Sequence, residues 1–187
     1  SIEFGKLKSI ERDGFRSRVV LNSGRAMDLR GSNDVNSENR GIIVTNDKIG
    51  RVDIPWREFK KVTFSNVAEK PKSYSSFKSQ KELNATVKTT NGETLSGKVI
   101  FDLDEEYDYE VLQGVDDDIE YILPFKYISK IVQRNYDNSD VTLKNGEKLM
   151  LGEGQDVSDM NTGVLVFKDK SKPTYIQWKN IEEISFN

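Results

Sequence analysis

The side chains of this protein that could do chemistry are mostly carboxylates, and they are concentrated in one stretch. Ten fall between Asp102 and Glu120 with no basic residue among them, opening with Asp102, Asp104, Glu105, Glu106 and Asp108. Hard cations such as Ca²⁺ take about six to eight oxygen ligands, which makes those first five the candidate metal ligands. The stretch lacks the fixed glycine and terminal glutamate of an EF-hand loop, and the competing explanation is a solvated acidic loop or a patch facing a partner. Paired acid and base work of the glycosidase kind needs two carboxyls about 5–10 Å apart across a cleft, and these residues are its only candidates. Cysteine and histidine are both absent. Their absence removes disulfides, thiol nucleophiles, the common zinc ligand sets and histidine-based proton transfer. The chain is therefore expected to be neither an enzyme nor the holder of a cofactor.

A second polar constellation occurs twice. The loop from residue 31 to 41 carries Asp34, Val35 and Asn39, and the loop from 154 to 163 carries Asp156, Val157 and Asn161. Asp and Asn in such loops close turns on their own backbone. A ligand explanation would instead require two similar sites on one molecule, at Asp34 and Asn39 and at Asp156 and Asn161.

These loops belong to a repeat. Val19–Phe64 aligns without a gap on Val141–Phe186, and fourteen of the 46 residue types coincide, including Val19/Val141, Gly24/Gly146, Gly41/Gly163 and Trp56/Trp178. A further copy spans 87–132, where Val87, Gly92 and Leu95 repeat the opening and Phe125, Ile128 and Ile131 repeat the close. Part of another stands at the start, with Phe4, Leu7 and Ile10 in the places of Phe125, Ile128 and Ile131. Repetition of one supersecondary unit is the expected meaning of such self-similarity. We call the copies with the Asp-Val loop B units (19–64 and 141–186) and the copy with the acidic insert the A unit (87–132). The order is A-tail, B, A, B. The expected domains are an incomplete first pair at 1–66, a Lys- and Ser-rich linker at 67–82, and a complete pair at 83–187.

Within each unit the apolar period is two. Ser23-Gly24, Asn91-Gly92 and Asn145-Gly146 separate strand-like runs and mark β-hairpins. A third strand is expected at 41–45 and 163–167 and a fourth at 51–54 and 174–177. A single tight turn beginning at Trp56 or Trp178 follows, and a fifth strand ends each unit. Trp56, Phe125 and Trp178 hold equivalent places and are expected to anchor the core. The competing reading of the aromatics is a peptide-binding groove, to which Tyr107, Tyr109, Tyr121 and Tyr127 would add.

Five short strands with one helical turn before the last resemble the plan of the SH3-like or Sm-like small barrel. The expected fold is accordingly all-β, with tandem five-stranded barrels packed in pairs because one unit buries too little surface alone. Val141-Thr142-Leu143-Lys144-Asn145-Gly146, then Asp156 and Met160-Asn161, resemble the first motif of Sm proteins. That resemblance implies an RNA-contacting loop at Asp156 and Asn161, and by repetition at Asp34 and Asn39. The general layout is also similar to bacterial repeat proteins of the cell envelope.

Charge bears on the choice. Residues 1–64 carry 13 basic and 9 acidic side chains, and 83–187 carry 11 and 20. Phosphate contacts need clustered Lys and Arg, so the second region argues against nucleic acid. No apolar run reaches the roughly 18–20 residues of a membrane span. A first residue other than methionine fits a processed secretory protein or a fragment, and a secreted, periplasmic or envelope location is the expectation. The expected function is a non-catalytic binding or structural module that engages a protein partner or itself. The alternatives are Sm-like nucleic-acid binding and Ca²⁺ binding within 102–120.

Overall fold

In the computed structural model, residues 2–32, 34–65, 81–168 and 172–187 are described. Nearly all of the expected linker lies outside them. The described chain is all-β, and its only helices are single turns of three residues. The strands are β1 (Leu7–Asp13), β2 (Arg16–Leu21), β3 (Ala26–Leu29), β4 (Ile42–Asn46), β5 (Gly50–Ile54), β6 (Lys61–Thr63), β7 (Asn84–Thr89) and β8 (Thr94–Phe101). They continue with β9 (Val111–Asp116), β10 (Ile119–Pro124), β11 (Ile128–Gln133), β12 (Asn138–Leu143), β13 (Lys148–Gly152), β14 (Val164–Phe167), β15 (Thr174–Ile176) and β16 (Ile181–Phe186). They form two antiparallel sheets that do not close: β3-β2-β1-β6, and β15-β14-β8-β7-β16-β11-β12-β13-β9-β10-β5-β4. The chain divides into two compact bodies, one within 1–43 and 54–77, the other within 44–53 and 78–187. The tip of the β4–β5 hairpin thus belongs to the second body, where β5 pairs with β10.

Local chemistry explains the hairpins. Each of the three opening hairpins reverses at a glycine in the left-handed region, Gly24 (φ 87°), Gly92 (φ 84°) and Gly146 (φ 90°), where a side chain would be strained. The same pair of backbone bonds closes all three turns, as in Leu143 N–H to Glu147 O at 2.8 Å and Gly146 N–H to Leu143 O at 2.9 Å. Asn91 and Asn145 add a side-chain oxygen that accepts the N–H two residues on. The register then repeats: Val19 faces Met27, Val87 faces Leu95 and Val141 faces Leu149.

Register also repeats where units meet. The closing strand of one unit pairs with an opening strand of another, as β1 with β2, β11 with β12 and β16 with β7. In each pairing the register slips at the same place, between Leu7 and Ser9, Ile128 and Lys130, and Ile181 and Glu183. At the middle of the large sheet β11 lies against β16, with Ile131 directly opposite its equivalent Ile184. Lys130 opposes Ser185 and Val132 opposes Glu183, so the pairing is reciprocal about the isoleucines. A local twofold relation between the A unit and the second B unit follows.

The second hairpin of each unit obeys the same relation. β14 of the B unit pairs with β8 of the A unit over Val164–Phe167, and β9 of the A unit meets β13 of the B unit at Val115 and Gly152. Each of these two units therefore lays its second hairpin on the other's second strand, whereas the second hairpin of the first B unit adds to β10 through β5. The expected five-stranded barrels packed in pairs would close those contacts within each unit, whereas here the sheets are unclosed and the contacts run between units. The pattern of alternation is satisfied equally by either partner, and only the three-dimensional pairing separates them.

Burial follows this exchange. One apolar cluster draws on both units, with Val87, Val99, Phe101, Leu112 and Leu123 from A and Val141, Leu151, Val164, Val166 and Ile184 from B. Phe101, the last residue of β8, stands between the equivalent aromatics of the two units. Its ring centroid is 5.2 Å from that of Phe125 and 5.9 Å from that of Trp178. Trp178 and Trp56 are both buried, and each indole N–H lacks a partner. Their neighbours differ, since Trp56 stacks on Phe59 at 4.9 Å.

Candidate functional site

The acidic segment of the A unit and the Asp-Val loop of the second B unit come together. β8 ends at Phe101, and the chain reverses through Asp102 (φ 44°) and Leu103 (φ 71°), so that Glu105 N–H returns to Phe101 O at 3.0 Å. This turn directs the Asp102 carboxylate into the B loop. It accepts the Thr162 backbone N–H at 2.5 Å and the Gln155 Nε2–H at 2.7 Å, and only 5% of Asp102 is exposed. The B loop reciprocates: the carboxylate of Asp156, in the single turn Gln155–Val157, accepts the Gln113 N–H of β9 at 2.7 Å. Each loop carboxylate thus satisfies backbone donors of the other unit, the strong use of a carboxylate where water is scarce.

The electrostatic consequence is a proton held among carboxyls. Burial pushes Glu105 up to about 9, with a hydrogen bond to Asp104 and the charges of Asp156, Asp104 and Asp102 adding to it. Burial raises Asp156 to about 6; the Gln113 N–H opposes the rise, and Asp102 and Asp104 reinforce it. Glu105 Oε2 is buried without a hydrogen-bond partner. At neutral pH this cluster favours a neutral Glu105 carboxyl over a further charge.

The five candidate metal ligands do not converge. Glu106 pairs with Lys98, which also reaches Glu82 at 2.8 Å, and these two carboxylates raise the lysine's pKa. Asp108 accepts the Lys81 N–H at 3.3 Å. Asp102 is committed to Thr162 and Gln155, which leaves Asp104 and Glu105 beside a shallow cavity of about 340 Å³ shared with Tyr109, Glu110 and Val111. Among the described residues no group of three or more carboxylates is arranged to hold a metal ion. Further along, Asp117 and Asp118 form the left-handed turn of the β9–β10 hairpin.

The Asp-Val loops are clamped alike in both B units. Asn161 donates its side-chain N–H to Asp156 O at 3.1 Å and accepts the Gly163 N–H at 2.8 Å; Asn39 makes the same bonds to Asp34 and Gly41 at the same distances. Asn161 is buried and Asn39 half-buried, so the amides serve their own loops. A residue outside the candidate set completes the clamp. Ser139 Oγ donates to Val157 O at 2.8 Å and Ser17 Oγ to Val35 O at 2.9 Å, each from a fully buried serine on the preceding strand. The two serines are equivalent and lie two residues before the aligned block, so extending the alignment would have revealed them. Gln113, Gln155 and Thr162 carried no comparable sequence signal because they act through a backbone amide or a single contact.

The carboxyl cluster sets an expected pH dependence. Glu105 and Asp156 have folded pKa values above their ordinary 4.5 and 3.8. Stability from each is complete below the ordinary value and falls as pH rises toward about 9 and about 6 respectively. Glu105→Gln should remove most of the decline above pH 6 and stabilise the protein near pH 8 by about 1–2 kcal/mol, a figure reduced for solvent near a partly exposed group. Urea midpoints measured across pH 4 to 9 check this, and parallel curves for the two proteins would contradict it.

Comparison of the chain with protein-family models, with curated proteins and with solved structures finds no match.

Proposed function

We propose that this protein is a non-catalytic structural or protein-binding module, assembled from SH3-like or Sm-like units that join in pairs by exchanging hairpins and make their external contacts with other protein chains. The observation that carries this reading is the reciprocal pairing of β14 on β8 and β9 on β13. A unit that completes its sheet with a neighbour's strands is built to bind β structure, because unpaired edge groups give affinity and the apolar alternation gives register.

The polar residues support the same reading. Asp102, Asp156, Asn39 and Asn161 hold loops and strands in place, and Glu106 is spent on an ion pair. No helix among the described residues is long and apolar enough to cross a membrane. Filter binding of the full chain to single-stranded RNA at low salt tests the reading against the nucleic-acid alternative. No retention is expected. Retention that declines with added salt, the mark of phosphate contacts, would overturn the proposal in favour of that alternative.

A further inference from the structure

We propose that the cleft between the β7–β8 turn and β15 is a binding site for a neutral carbohydrate, recognised by the side chains of Thr90, Glu93, Gln177 and Asn180 and the ring of Tyr175. The site goes beyond the protein-binding reading and does not rest on it.

Backbone bonds hold the walls of the cleft in place. Its volume is about 510 Å³, within the usual range of small-ligand sites. Thr90 N–H donates to Asn180 O at 2.9 Å, which fastens the β7–β8 turn to the single turn Trp178–Asn180. Asn180 N–H returns to Gln177 O at 2.9 Å. The β7–β8 turn is braced from within, because the Thr89 hydroxyl donates to Asn91 Oδ1 at 2.5 Å and the same oxygen accepts the Glu93 N–H at 3.2 Å. The floor is apolar, formed by the buried Leu95 of β8 and Ile176 of β15.

The groups around that floor are polar and unengaged. Among the described residues the Thr90 hydroxyl, the Glu93 carboxylate and the side-chain amides of Gln177 and Asn180 have no hydrogen-bond or ionic partner within the protein, and all four residues are exposed. An amide offers both a donor and an acceptor, as does a hydroxyl, and a carboxylate accepts. A sugar hydroxyl is likewise donor and acceptor, so a ring bearing several of them answers all four groups at once. Tyr175 supplies the apolar complement. Its hydroxyl donates to Thr162 O at 2.6 Å, which fixes the ring, and 47% of the residue stays exposed at the wall of the cleft. A ring held in this way can cover the C–H face of a pyranose while its neighbours take the hydroxyls.

Charge sets the competing ligand classes aside. No Lys or Arg lines the cleft, so a phosphate or carboxylate finds no cationic partner there. A purely apolar ligand would strip water from the amides and the carboxylate and leave them unpaired, which is unfavourable.

The test titrates the ¹⁵N-labelled full chain separately with cellotriose, maltotriose and triacetylchitotriose. At least one of them is expected to give saturable shifts confined to amides of 89–95 and 174–180. Gln177→Ala combined with Asn180→Ala should weaken that sugar about tenfold, the scale of one net hydrogen bond. Lys179→Ala should leave it unchanged, because Lys179 lines a different, smaller cavity. An unaltered urea midpoint shows that the double variant is folded, and the titration of the unmodified chain decides the proposal without it. The proposal is overturned if none of the three sugars gives saturable shifts, if the shifts fall outside the cleft, or if the folded double variant binds as the unmodified chain does. It is also overturned if light scattering finds a dimer whose β15 amides are already protected from exchange, which would make a strand of a second copy the occupant.

Discussion

Phe101→Ala is expected to cost about 3–5 kcal/mol of stability, the range for truncating a fully enclosed aromatic. Phe101 is 0% exposed and lies against Phe125 of its own unit and Trp178 of the neighbouring one. Its backbone pairs with Val164 of β14. Removing the ring leaves a cavity at the contact between two units, where neither can collapse without shifting its partner. Denaturant unfolding followed by tryptophan fluorescence in a Trp56→Phe background isolates the signal of Trp178. A loss under about 0.5 kcal/mol, the scale of surface substitutions, would mean that Phe101 is not the shared centre.

Gly163→Ala is the second large effect, expected at about 3 kcal/mol or more. A left-handed backbone costs a residue with a side chain about 1–2 kcal/mol, and Gly163 has φ 120°. A Cβ placed there would lie 2.2 Å from Ile176 O and 3.0 Å from Trp178 N, both backbone atoms with no rotamer to yield. Overpacking adds about 1–3 kcal/mol. Gly146→Ala supplies the comparison, because Gly146 has φ 90° and nothing within 4 Å of the added Cβ. The two variants should therefore differ by the cost of the close approach. Equal destabilisation by urea melts would show that the loop does not press on the chain before Trp178. A Cβ added at Gly41 would likewise lie 2.1 Å from Ile54 O, which explains why this glycine recurs at the same place in both B units.

The features legible in the sequence were those fixed over a few residues. Asn-Gly and Ser-Gly turns, alternation along the strands and the paired Trp56 and Trp178 each have a local physical cause, and all-β architecture followed from them. The partner of each hairpin was not legible. Val164 to Phe167 presents the same apolar alternation whether it pairs within its own unit or on β8, so the sheets of four and twelve strands could not be read from pattern alone. Phe101 had no repeated counterpart in the B units and drew no attention. Among the polar candidates, the carboxylates around Asp102 and the loop at Asp156 were visible in the sequence as separate features. The sequence did not disclose that Asp102 reaches Thr162 and Gln155 across the unit boundary, since that contact joins positions more than fifty residues apart.

The exchange of hairpins between equivalent units is the claim on which the rest depends, and backbone nuclear Overhauser effects in the uniformly labelled full chain measure it directly. The account predicts contacts between Ile100 and Leu165 and between Val115 and Gly152, joining β8 to β14 and β9 to β13. Contacts that instead join β8 to β9 and β13 to β14, each within its own unit, would contradict it.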